Sequence, residues 1–97
     1  MAAVLGTRVW KFAVGDWAAL TAAQLIQLKT AVKIASIYWL GPDNVGDDFS
    51  IVDNAGVVIQ NGICEVAEQS QYFNRNNWAQ GISNIVLDSG VLYINIY

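Results

Sequence analysis

The sequence predicts an all-β domain: an antiparallel β-sandwich or barrel-like fold of about seven short strands, with one short helix near residues 22–29. Three observations lead there. Apolar and polar residues alternate over many short segments, and β-branched and aromatic residues fill those segments. Clusters of Gly, Pro, Asn and Asp separate them at short intervals. No long alternation of strand and helix patterns appears, which argues against a parallel α/β fold. At 97 residues the chain has the length of one domain, residues 1–97.

Arg8 to Val14 alternates, with Trp10, Phe12 and Val14 on one face and Lys11 on the other. Gly15-Asp16 reads as a turn. Thr21-Ala-Ala-Gln24 has the spacing of a capping box, in which the threonine hydroxyl takes the N3 amide and the glutamine reaches back. Leu25, Leu28 and Val32 follow at helical spacing, so a helix over Ala22–Lys29 is expected. Strand pairing of Leu25–Leu28 remains the alternative. Val32 to Leu40 is the strongest strand, and its apolar phase switches from even to odd positions. A bulge near Ala35-Ser36 explains the switch. Gly41-Pro42-Asp43-Asn44 ends the strand.

Asp48–Asp53 and Val57–Asn61 flank Asn54-Ala55-Gly56, the pattern of a hairpin. Gly62 interrupts it. Ile63 to Gln71 is expected as a further strand. Tyr72 to Gln80, with Asn74, Asn76 and Asn77, is expected as a polar loop. Ile82–Leu87 and Val91–Tyr97 flank Asp88-Ser89-Gly90, the pattern of a second hairpin closed by a type I turn and a G1 bulge. In the last strand Leu92, Ile94 and Ile96 point inward, while Val91, Tyr93, Asn95 and Tyr97 point outward.

Composition narrows the function. Hydrophobic residues make up 55% of the chain and charged residues 13%, where about 25% charged is typical. That composition is incompatible with disorder. No apolar run reaches the roughly 18 residues of a membrane span. A net charge of −3 argues against nucleic acid, which calls for a basic surface. There is no histidine, so Ser-His-Asp and Cys-His catalysis are excluded. Cys64 stands alone among acidic neighbours and is expected as an inert, half-buried thiol. Met1–Leu5 is too short, and has no basic flank, to read as a secretory signal.

Three constellations remain. Asp43, Asp47 and Asp48 could form a calcium loop, but their spacing is not that of an EF-hand, and a solvated turn is the expectation. Glu65 and Glu68 would face opposite sides of a strand, which does not suit paired carboxylate catalysis. No enzyme activity, metal or cofactor is expected. The aromatic residues carry the clearest signal. Trp10 and Trp39 are in phase with strand cores. Trp17, Tyr72 and Trp78 fall in expected loops, and Tyr93 and Tyr97 point outward, which makes these five the candidate interface residues. A surface so poor in charge calls for burial against copies of itself, as a homo-oligomer, or against another protein.

The segments Lys33–Gly41, Asp48–Ile59 and Leu87–Ile94 resemble small β-rich structural proteins of tailed-bacteriophage virions, of the head decoration or cement type. The likeness spans Lys33 to Tyr97 in outline and rests on hairpin turns and strand patterns; the N-terminal third departs from it. It implies a virion component made in the host cytoplasm, bound to a major capsid protein or another virion protein. It transfers no catalytic residue. A carbohydrate-binding or host-recognition module of a tail or fibre is the alternative, with Trp17 or Trp78 as stacking platforms. A small secreted inhibitor or toxin-like domain is a third reading, disfavoured by the lack of disulfides.

Overall fold

The computed structural model describes residues 4–6 and 8–97. Two antiparallel sheets enclose one core. The strands are β1 (Val4–Leu5), β2 (Val9–Ala13), β3 (Val32–Leu40), β4 (Asp48–Val52), β5 (Val58–Ile63), β6 (Gln71–Ala79), β7 (Asn84–Leu87) and β8 (Val91–Ile96). The larger sheet runs β1-β2-β8-β3-β6 and the smaller β5-β4-β7. A 3-10 turn, Trp17–Ala19, and the helix α1, Ala22–Lys29, connect β2 to β3.

The expected all-β sandwich is present, and local chemistry accounts for its details. Helix α1 starts at the expected capping box: Thr21 Oγ1 accepts from the Gln24 N–H at 3.2 Å, and Gln24 Oε1 accepts from the Thr21 N–H at 3.0 Å. It buries only Leu28. In β3 the residues Ala35 and Ser36 together oppose Asn95, the expected bulge, and the inward set shifts from Ile34 to Ile37 and Trp39. The β4–β5 hairpin is also as expected. Its loop is held by Asp53, whose carboxylate accepts from the N–H groups of Ala55 and Val57 at 2.9 and 3.0 Å.

The core joins Trp10 and Phe12 of β2 and Ile34, Ile37 and Trp39 of β3 to Leu92 and Ile94 of β8. From the smaller sheet come Phe49, Ile51 and Ile85. Trp39 meets Phe49 edge-on at 4.9 Å, and Phe49 meets Phe73 at 5.4 Å. Gly62 lies inside β5 rather than interrupting it. A Cβ there would sit 2.6 Å from Phe49 and 3.0 Å from Phe73, so the ring stack needs the glycine.

Four further expectations are corrected. Residues 72–80 are not a loop, because Gln71–Ala79 is β6, paired along β3. Asn-rich composition disfavours strand, yet at the sheet margin its polar side chains stay in solvent and its backbone is satisfied by β3. Residues 63–71 are not a strand: past Ile63 the chain turns, with the Cys64 N–H donating to the Asp47 carbonyl at 2.7 Å and Glu68 at φ 66°. β2 ends at Ala13, whose N–H donates to the Asp16 carboxylate at 2.8 Å, so Val14 leaves the face of Trp10 and Phe12 and is exposed.

The Asp88-Ser89-Gly90 segment does not close a hairpin, since β7 pairs with β4 while β8 pairs with β2 and β3. The chain crosses between sheets there because the turn is tied down by its neighbours. The Trp39 indole donates to the Ser89 carbonyl at 2.9 Å, and the Ser89 hydroxyl accepts from the Asp43 N–H at 2.8 Å and donates to Asp47 Oδ2 at 2.6 Å. Gly90, at φ 75°, leaves only 2.6 Å between a Cβ and the Leu40 carbonyl.

Candidate functional site: the outer face of the larger sheet

Paired residues of antiparallel strands project to the same side, so the register of the larger sheet lays out its outer face in rows across the strands. One row is Lys11 of β2, Tyr93 of β8, Tyr38 of β3 and Tyr72 of β6. With strands about 4.8 Å apart, this row extends over roughly 14 Å. Tyr38 and Tyr93 lie 6.3 Å apart between ring centroids, and the Lys11 ammonium is 5.9 Å from the Tyr93 ring.

The next row is polar: Val9, Asn95, Ser36 and Asn74. The Asn95 amide donates to the Ser36 hydroxyl at 2.9 Å, so this buried serine is satisfied where the bulge turns it outward. Beyond it Lys33 stands opposite Trp78, with its ammonium 4.8 Å from the Tyr97 ring. The Tyr97 hydroxyl donates to Asn76 Oδ1. On the other side of the tyrosine row, Ala13, Val91 and Leu40 form an apolar margin.

These rows contain two lysines and no carboxylate. Six of the eight acidic residues, Asp43, Asp47, Asp48, Glu65, Glu68 and Asp88, lie instead in or next to the loops at one end, which backbone hydrogen bonds tie together from Gly46 to Cys64, Cys64 to Asp47, Glu68 to Pro42 and Asp88 to Asp48. That end is internally bonded. Asp47 Oδ2 accepts from the Asn44 N–H at 3.2 Å as well as from Ser89, and Asp88 Oδ2 accepts from the Asp48 N–H at 3.0 Å. Desolvation and the neighbouring Asp88 carboxyl, as hydrogen-bond partner and as charge, with a smaller push from Asp47, raise the Asp48 carboxyl above its ordinary value. Asp47 serves as a loop clamp, and among the described residues no group of three or more His, Cys, Asp or Glu side chains is placed to hold a metal.

Of the five residues singled out in the sequence, four share the outer face: Tyr72, Trp78, Tyr93 and Tyr97. Tyr72, Trp78 and Tyr97 are 63%, 66% and 63% exposed. Trp17 is placed apart. It is half-buried, packs 6.2 Å from Phe12 and lines an apolar cleft of about 290 Å³ between β2 and β7. Tyr38, Asn74 and Lys33 complete the face, and the sequence reading passed over them. The phase of β3 after its bulge is the signal that could have found Tyr38.

Cys64 is fully buried rather than half-buried, with Sγ 3.2 Å from the Val66 carbonyl. Burial, then the charge of Asp47, pushes its thiol up. Compared with protein-family models, with curated proteins and with solved structures, the chain matches none.

Proposed function

We propose that the chain is a non-enzymatic binding protein that works through the outer face of its larger sheet, as a decoration or cement component of a viral shell. One observation supports binding at that face: in a chain of net charge −3, the face arrays tyrosine, tryptophan, amide and lysine side chains without a carboxylate. Such a surface suits burial against a protein that is neutral or acidic there, with Tyr and Trp as anchors. The viral setting rests on the resemblance of Lys33–Gly41, Asp48–Ile59 and Leu87–Ile94 to phage virion proteins. The partner is then a major capsid protein or another virion protein. Repeated copies on a symmetric shell add their modest affinities, and binding to the assembled shell stabilises it over free subunits.

Peptide mass spectrometry of purified particles from the source should find the chain in many copies per shell. Stripping it should lower the thermal or osmotic resistance of the particles, and adding it back should restore that resistance. Absence from the particles, or unchanged resistance after stripping, removes the cement role.

A second reading, glycan recognition by a tail or fibre module, is favoured by the exposed Trp78 and Tyr97 rings beside the amides of Asn74, Asn76 and Asn95. A glycan array without a hit, with tryptophan fluorescence unmoved by host polysaccharide, removes that reading.

A further inference from the structure

The two margins of the smaller sheet differ. Along β5, side chains cap the outward carbonyls: Arg75 donates to Ile59, Gln60 to Asn61 at 3.2 Å and Gln71 to Ile63 at 2.8 Å. Caps of this kind stop a strand edge from templating another chain. Along β7 the register with β4, and the Asp88 N–H donating to the Asp48 carbonyl, turn the backbone groups of Asn84 and Val86 toward β4. Those of Ile85 and Leu87 therefore point away from the sheet, and no cap on them is found among the described residues. Asn84–Leu87 has no charge, proline or bulge, and the apolar cleft beside Trp17 lies against it.

We propose that a second copy of this chain pairs its β7 antiparallel to this one, about a two-fold axis at Val86. The outward groups of Ile85 then bond those of Leu87 in the second copy, and the two Val86 side chains face each other across the axis. Charge favours this register. Asp88, the one charged residue in 83–89, falls opposite the amide of Asn84 rather than opposite another carboxylate. Four residues per strand bury far less than the roughly 1,200 Å² of a standard interface, so the pair is weak in solution. The axis runs perpendicular to the sheet, so both outer faces of the larger sheets look to the same side. On the proposed function, the pair would therefore offer one partner surface two binding faces.

The test is solution mass by light scattering from micromolar to millimolar concentration, with the full chain and two variants. Val86 is 42% exposed, so Val86→Lys and Val86→Glu leave the core untouched. The wild type should shift from monomer to dimer. Each variant alone should stay a monomer, because like charges meet at the axis. An equimolar mixture of the two should recover the dimer. Hydrogen exchange on the wild type provides an independent readout should a variant misfold. The Ile85 and Leu87 amides should gain protection with concentration, while the Val86 amide is protected throughout. A wild type that stays monomeric at millimolar concentration, or a lysine variant that self-associates like the wild type, overturns the pairing. None of these readouts uses a shell or a glycan, so their failure and the failure of the proposed function are separable.

Discussion

The inner and outer faces of the larger sheet are carried by the same strands. On the inside, Ile34, Ile37, Trp39, Leu92 and Ile94 are fully buried. On the outside, Tyr38 and Tyr93 alternate with them, and Tyr72 and Trp78 of neighbouring β6 add rings that are mostly in solvent. Residue type does not separate the two sets, since tryptophan occurs in both. Position in the pleat does: a step of one residue exchanges a stability role for a surface role. The bulge at Ala35-Ser36 is therefore consequential, because it decides that Trp39 enters the core and Tyr38 stays out.

The two tryptophans put that contrast to its hardest test. Trp39→Ala empties a site against Phe49 and leaves the Ser89 carbonyl without its indole donor, and should cost about 3–5 kcal/mol. Trp78→Ala should change stability by no more than about 0.5 kcal/mol, as at other exposed sites. Urea unfolding of both variants checks this. A comparable loss in the Trp78 variant would mean that the outer face is a second core rather than a free surface. Under the proposed function the Trp78 variant, and Tyr72→Ala beside it, should still fold but bind the shell more weakly.

A smaller loss should follow from the link between the sheets. Ser89→Ala leaves the Asp43 N–H without its acceptor and the Asp47 carboxylate without one donor. The expected cost is about 1 kcal/mol, the net worth of such hydrogen bonds where water can reach the groups left behind. Ser89→Thr keeps the hydroxyl, so a threonine variant that recovers part of the loss assigns the effect to the hydrogen bonds. An alanine variant as stable as the wild type would show that the crossing turn is held without the Ser89 hydroxyl.

Much of the fold was legible because local chemistry decided it. The capping box, the helix limits, the length of β3 and its bulge all follow from side-chain pattern and short-range hydrogen bonding. Misread parts were those decided by a distant partner. β6 is polar and reads as loop until β3 is there to pair it. The Leu87–Val91 turn has the residues of a hairpin, but Trp39, Asp43 and Asp47 pull it across the sandwich. The candidate face was half legible for the same reason: Tyr93 and Tyr97 had a readable phase. Tyr72 and Trp78 were singled out as loop residues, and only the pairing of β6 puts them beside the other two. Trp17 offered no periodicity from which its place beside Phe12 could be read.

The rim where β4 and β7 meet the acidic loops is neither inner nor outer face, and it should give the smallest effect. Desolvation and Asp88 raise the Asp48 carboxyl, so the folded chain holds that proton to a higher pH than the unfolded chain does. Between the two values the native state binds more protons than the unfolded state, and stability falls as pH rises through that window. The contribution is full below the ordinary aspartate range and is lost above the raised value. Asp48→Asn removes this titration and keeps a donor for Asp88. The variant should match the wild type in acid and become the more stable of the two as pH approaches neutrality. Asp48 is exposed, so solvent screening keeps the gap below either of the changes above. Thermal unfolding of both proteins from pH 3 to pH 7 reads it directly. If the two curves stay parallel across that range, the Asp48–Asp88 contact does not perturb the carboxyl, and the rim behaves as ordinary solvated surface.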